Sequence, residues 1–330
     1  MKEELLERVI RAVLYEGYVP YPSLGKSAKN QREGLTFGRV YPEAYSLAQN
    51  DGEPCALRAE CLLRMKASEA AVRVSVRFLR RQWREVGKVP ALLSELTLAP
   101  EPYFKVVPEL LVNGELHQTW QEATEERAQV APVPVRPHAT GQVNFIFPGN
   151  RALRPLRDEA NRVLGVSVRR QEALLGAIEV KVSPVTETVF KISAEVRNLT
   201  ALPPGAREDC DAILMRTFAG THLVLQAKGA DFVSLLDPPA GFEAHAADCK
   251  SIGVWPVLVG DPTAGDRDAM LASPIILYDY PQIAHESCGE FRDPRLIDET
   301  QPLPVPDAGT PELCSSEDPR HRVFERTEKL

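Results

Sequence analysis

The sequence predicts a mainly β protein, with two antiparallel sandwich-like lobes, an N-terminal helix and few other helices. Three observations carry that expectation. In Ala71-Val-Arg-Val-Ser-Val-Arg-Phe the apolar Val72, Val74, Val76 and Phe78 alternate with Arg73, Ser75 and Arg77, the period of two that marks a half-buried strand. The 28 prolines are excluded from helix interiors and central strands, so they belong to edges, turns and extended links between short strands. Finally, Ile178, Val180 and Val182 alternate with Glu179, Lys181 and Ser183, and Phe190, Ile192, Ala194 and Val196 alternate with Lys191, Ser193, Glu195 and Arg197. Two such runs joined around Pro184 to Glu187 read as an antiparallel pair with one wet face, which favours a sandwich over a parallel sheet.

Taken in order, residues 3 to 15 place Leu5, Leu6, Val9, Ile10, Val13 and Leu14 at helical spacing, an amphipathic helix that stops at Gly17. From Gly17 to Tyr45 tyrosines mix with Lys26, Lys29, Arg32 and Arg39 between prolines and glycines, which reads as an ordered arm. A strand from Leu57 to Met65 is expected to pair with the 71–78 strand across a turn at Lys66 to Glu69. A second hairpin is expected between Val106 to Val112 and Glu115 to Trp120 around Asn113-Gly114, because Asn-Gly is a strong signal for a two-residue turn. Ala131-Pro-Val-Pro-Val-Arg-Pro reads as a stiff linker, and Val143 to Phe147 as a short strand. After the 174–197 pair come a helix at about Arg207 to Ala219, strands at His222 to Ala227 and Phe232 to Leu236 turning at Gly229, and apolar runs at Val254 to Val259 and Pro274 to Tyr278. Beyond Asp293 the chain turns to Pro, Asp, Glu, Ser and Thr, a composition that does not bury enough surface to order itself. The expected organisation is therefore a helix and arm over 1–45, a first β lobe over 46–170, a second over 171–292 and an acidic tail over 293–330.

A chain of 330 residues is long enough for two cores without metals or disulfides. The net charge of −7 argues against nucleic acid as a partner. The first residues, Met1-Lys-Glu-Glu-Leu-Leu-Glu-Arg, lack the basic end and apolar run of an export signal. No stretch approaches the roughly 18 apolar residues of a membrane span, so a cytoplasmic location is expected. There the six scattered cysteines should be reduced, and no disulfide framework is expected.

Several motifs bear on chemistry. Gly25-Lys26-Ser27 resembles the end of a phosphate loop, but Pro20 stands where its first glycine belongs. His245-x-x-x-Cys249 and His285-x-x-Cys288 would suit a tetrahedral zinc site if all four side chains converged. The carboxylate-rich Asp261 to Asp268 lacks the order of a calcium loop, and no Gly-x-Ser-x-Gly elbow is present. Tyrosine and arginine are the side chains that most often anchor protein interfaces. The arm residues Tyr18, Tyr21, Lys26, Lys29 and Arg32, together with Trp255, Tyr278 and Tyr280, are accordingly the candidate partner-binding set. No cofactor is expected. The competing classes are a zinc-dependent enzyme built on His245, Cys249, His285 and Cys288, and a carrier of a small ligand or cofactor held between the lobes.

Two stretches carry a family resemblance. The first is Leu14-Tyr-Glu-Gly-Tyr, continuing into Lys29-Asn-Gln-Arg and Thr36-Phe-Gly-Arg-Val-Tyr-Pro. The second combines Phe232-Val-Ser-Leu-Leu-Asp-Pro-Pro, Trp255-Pro-Val-Leu-Val-Gly and Ser273-Pro-Ile-Ile-Leu-Tyr-Asp-Tyr-Pro. Together, over about residues 8 to 290, they resemble a bacterial protein family encoded beside the genes of nickel–iron uptake hydrogenases. The resemblance implies an accessory role in maturation, assembly or stabilisation of that enzyme, with a hydrogenase subunit or maturation factor as partner. It supplies no catalytic residues, and the sequence departs from the family pattern around His285 and Cys288.

Overall fold

The structure is a computed structural model, and it describes residues 2–15, 37–48, 54–93, 103–205 and 209–282. Most of the expected arm and all of the expected tail lie outside those residues.

The amphipathic stretch forms helix α1 (Lys2–Tyr15). A single turn, α2 (Glu43–Ser46), follows. Strands β1 (Ala56–Met65) and β2 (Ala71–Leu93) open the sandwich. Next come β3 (Lys105–Val107), β4 (Glu109–Val112), β5 (Glu115–Gln118), β6 (Trp120–Gln129) and β7 (Val133–Pro134). Strands β8 (Thr140–Phe147), β9 (Asn150–Arg157), β10 (Val163–Gln171), β11 (Leu174–Pro184) and β12 (Val189–Asn198) occupy the middle of the chain. The last elements are α3 (Cys210–Leu214), β13 (Ala219–Lys228), β14 (Ala230–Val233), α4 (Glu243–Ala247), β15 (Trp255–Leu258) and β16 (Ala269–Ser273). The mainly β, antiparallel architecture with an N-terminal helix is the one the alternation predicts.

One sheet runs β14-β1-β12-β11-β8. The other runs β15-β16-β13-β2-β10-β9, with β3, β6 and β7 also paired to β2. The two pack face to face over a single core. Leu57, Cys61 and Leu63 of β1 and Ile178, Ile192 and Val196 of β11 and β12 meet Val72, Val74, Val76 and Phe78 of β2 and Leu223 and Leu225 of β13. At its centre the Phe78 and Phe218 rings stack at 4.4 Å, with Phe145 and Phe147 packed on Phe78.

This core corrects the expected division into lobes. β1 pairs with β12 and β2 with β13, so each sheet draws strands from both sides of residue 170, and no boundary there separates two cores. The expected β1–β2 hairpin is likewise absent. The 66–70 link is a corner that carries the chain from one sheet to the other, placing the apolar faces of β1 and β2 opposite each other across the core. Gly229 (φ 70°) makes the matching corner between β13 and β14, which also belong to different sheets. The proline-rich 131–137 stretch is not a free linker, because Val133 and Val135 are buried and Val133 pairs with Val72. The helix expected over 207–219 is only the five residues of α3, and Pro274 to Tyr278 forms no strand. The β11–β12 pair and the β4–β5 hairpin form as predicted, with Asn113 and Gly114 both at positive φ, 52° and 82°.

α1 covers the outer face of the nine-stranded sheet. Leu6, Val9, Ile10 and Val13 pack on Val224, Val257, Val259 and Leu271. Full burial of such a side chain contributes roughly 1.5–3 kcal/mol, and this contact explains why the helix forms at the start of a strand-rich chain.

Candidate functional site

Strand β15 ends the nine-stranded sheet, and an edge strand leaves every second residue's N–H and C=O pointing outward. Val259 N–H donates to the Ala269 carbonyl at 3.1 Å, so Val257 and Val259 aim at β16 while Pro256 and Leu258 aim outward. The sequence meets both outward positions. Pro256 has no N–H to leave unpaired. Leu258 N–H donates to Asp279 Oδ1 at 2.7 Å, and the Leu258 carbonyl accepts from Tyr280 N–H at 2.7 Å. The other Asp279 oxygen accepts from the Ser234 hydroxyl at 2.5 Å, and Ser234 Oγ in turn accepts from Asp237 N–H at 2.9 Å. One carboxylate thereby ties the end of β14, the edge of β15 and the 274–280 segment together.

That clamp positions three of the sequence-predicted binding residues. Trp255 stands at the start of β15 with 46% of its surface exposed, and Tyr278 is 62% exposed. Tyr280, at φ 57°, is half-buried. Its ring packs on the core, its hydroxyl donates to the Asp266 carbonyl at 2.8 Å, and burial pushes its pKa up. Tyr280 is therefore an anchor for the segment, and Trp255 and Tyr278 are the presented surface. Ile252 and Ile276, close to Trp255 and Tyr278 in the chain, are also 49% and 38% exposed. Large, partly exposed aromatic side chains on a rigid edge are what an interface anchor requires. Tyr18, Tyr21, Lys26, Lys29 and Arg32 lie outside the described residues.

The His/Cys pairs fare differently. His245 and Cys249 share one turn at α4, where the Cys249 thiol reaches the His245 carbonyl at 3.6 Å. Cys249 packs against Leu62, Val189, Val233 and Ala246. Burial, with Glu60 beside it, pushes its pKa up to about 11, the reverse of what a nucleophilic or metal-binding thiolate needs. Burial also holds the Cys61 thiol well above its ordinary range. His285 and Cys288 lie outside the described residues, and among the described residues no three His, Cys, Asp or Glu side chains group to hold a metal ion.

Sequence reasoning missed a charged seam beneath α1. Arg77, on the outer face of β2, pairs with Glu7 of α1 and at 2.8 Å with Glu125 of β6. His222, fully buried, lies opposite Arg77 in the β2–β13 register. Its Nδ1 lies 2.9 Å from the Gly220 carbonyl. A carbonyl only accepts, so Nδ1 carries the proton, and Nε2 is a buried acceptor with no protein partner among the described residues. Burial, with Arg77 nearby, lowers the His222 pKa to about 4. Further along β2, Arg80 donates to the Pro148 and Glu172 carbonyls at 2.7 and 2.6 Å and pairs with Glu126 at 3.2 Å, whose pKa burial raises. The Arg77 and Arg80 guanidinium groups are matched by carboxylates of the protein, which is the arrangement of structural ion pairs.

A cleft of about 500 Å³ opens where α1 meets the sheet, lined by Leu6, Arg73, Gln226, Lys228, Val259 and Asp268 among others. No described helix is long and apolar enough to cross a membrane.

In comparisons with known proteins, no family model matches the chain, and no curated protein matches it.

Proposed function

We propose that this chain is a non-catalytic accessory protein of the cytoplasm that docks a partner protein through the Trp255–Tyr278 edge. The observation that carries the reading is the clamp itself. Asp279 satisfies the outward N–H of edge strand β15, and Trp255 in that strand and Tyr278 next to Asp279 in the chain are both exposed. Burying those rings against a partner removes apolar surface from water at little further entropic cost, because the backbone beneath them is already fixed. The thiols of Cys61 and Cys249, held in their neutral form, support a binding role over nucleophilic chemistry.

The resemblance of the Trp255 and Ser273 stretches to a family encoded beside nickel–iron hydrogenase genes supplies the partner to test, a hydrogenase subunit or maturation factor. Tagged chain expressed in its native host should co-purify such a component, and deletion of the gene should lower hydrogenase activity. Recovery of no hydrogenase component together with unchanged activity in the deletion strain would remove the reading.

A second reading, carriage of a small ligand, is favoured by the cleft, whose lining brings together Arg73, Lys228 and Asp268 with Leu6 and Val259. Calorimetric titration with small anionic metabolites, repeated on Arg73→Ala/Lys228→Ala, tests it.

A further inference from the structure

Besides β3, β6 and β7, which edge the nine-stranded sheet along β2 and of which the longest, β6, carries Glu122, Glu125, Glu126 and Arg127, the two large sheets have four ends, and three of them are blunted in ways that stop further strands from adding. β14 has four residues. β15 is closed by Asp279 and Tyr280. β9, Asn-Arg-Ala-Leu-Arg-Pro-Leu-Arg, carries Arg151, Arg154 and Arg157 together with Pro155, the charges and proline that protect an edge. The fourth end, β8, is Thr-Gly-Gln-Val-Asn-Phe-Ile-Phe, eight residues with no charge, no proline and Ile146 66% exposed.

The hydrogen-bond parity of β8 follows from its neighbours. Val182 N–H donates to the Ala139 carbonyl at 2.9 Å, and Leu199 N–H to the Leu175 carbonyl at 3.0 Å. Residues 174, 176, 178, 180 and 182 of β11 therefore face β8, and their partners in the register are Phe147, Phe145, Val143, Gly141 and Ala139. The N–H and C=O groups of Thr140, Gln142, Asn144 and Ile146 point away from the sheet, and among the described residues no hydrogen bond to them is formed. The same four side chains are exposed, while Phe145 is buried and Val143 and Phe147 pack on the core.

We propose that two copies of this chain pair through β8, antiparallel about a two-fold axis at Val143, joining their five-stranded sheets into one. Only this kind of register brings the outward groups together. Thr140 and Ile146 of one copy exchange hydrogen bonds with Ile146 and Thr140 of the other, and Gln142 and Asn144 with Asn144 and Gln142. The side chains suit it, since a strand paired with itself sets any charge against its own kind or a near neighbour, and β8 has none. On the outer face an amide meets an amide. A self-complementary contact of this sort closes at two subunits.

The test uses the full chain and light scattering coupled to size exclusion across the micromolar range. The wild type should show twice the chain mass. Gln142→Lys/Asn144→Lys sets lysine against lysine twice and should halve that mass. Gln142→Lys/Asn144→Glu sets lysine against glutamate twice and should restore it, with unchanged far-ultraviolet circular dichroism in both. Hydrogen exchange should protect the amides of Gln142 and Asn144 in the wild type and expose them in the Lys/Lys variant. A monomeric wild type overturns the proposal, whether those amides then stay open or close only when a different protein adds its strand. A dimer that survives the Lys/Lys variant overturns it too.

Discussion

Arg77 and His222 face each other across the β2–β13 pair beneath α1, one permanently charged and the other held neutral. Glu7 and Glu125 take up the guanidinium's charge, and the imidazole spends its one proton on the Gly220 carbonyl. A second positive charge at this place would have no carboxylate left to meet it.

The first prediction is a loss of stability in mild acid. The folded-state His222 pKa, about 4, lies below the ordinary 6.5, so between those values the unfolded chain binds a proton that the folded chain refuses. The His222 contribution is intact above pH 6.5 and declines as pH falls towards 4, by roughly 3 kcal/mol in all. Urea denaturation at pH 7 and pH 4.5 should show the wild type losing more stability than His222→Gln. Equal losses would contradict the neutral, buried assignment.

Removing the cation of the seam should be costly, because Arg77 is buried beneath α1. Arg77→Met leaves the Glu125 carboxylate, 10% exposed, without its partner, and the loss should be about 3 kcal/mol. Arg77→Met/Glu125→Met should recover part of that loss, measured by the same denaturation.

The aromatic centre offers a packing test. Phe78 stacks on Phe218 and touches Phe145 and Phe147, and it is fully buried. Phe78→Ala should destabilise by about 3–5 kcal/mol through lost contacts and the cavity left behind, and Phe78→Leu by less than half as much. Because both sheets share this cluster, calorimetry should show one cooperative transition that shifts as a unit. Two separately shifting transitions would restore the expectation of independent lobes.

The edge clamp predicts a local effect. Asp279→Ala leaves the Leu258 N–H and the Ser234 hydroxyl without their acceptor, so the cost should be about 1–3 kcal/mol. Hydrogen exchange should speed up at Leu258 and Tyr280 while β11 and β12 stay protected.

Much of this fold was legible in the sequence, and the parts that were not share a physical reason. Alternation along Leu57, Ala59, Cys61 and Leu63 tells which side chains are buried, but not which strand supplies the neighbouring hydrogen bonds. A five-residue link serves a hairpin and a sheet-to-sheet corner equally well. The run Cys61-Leu62-Leu63 did hold a clue, since Leu62 is buried on the opposite face against Val189 and Val233 and a strand covered on both sides is apolar without alternation. In the 131–137 stretch the prolines signalled an extended chain correctly, while Val133 and Val135 between them signalled burial. Trp255 and Tyr278 were visible as interface-prone residue types. The clamp that fixes them joins Ser234, Leu258 and Asp279, and the charged seam joins Glu7, Arg77, Glu125 and His222, contacts between distant positions that no local pattern encodes.

The docking account is tested most directly by quantitative co-purification of tagged wild type and Trp255→Ala/Tyr278→Ala from the native host. Both side chains are exposed, and circular dichroism and the denaturation midpoint check that the double variant stays folded. The account predicts that its recovery of the hydrogenase component falls at least tenfold, the loss expected when two aromatic anchors leave an interface. Undiminished recovery by a folded double variant would contradict it.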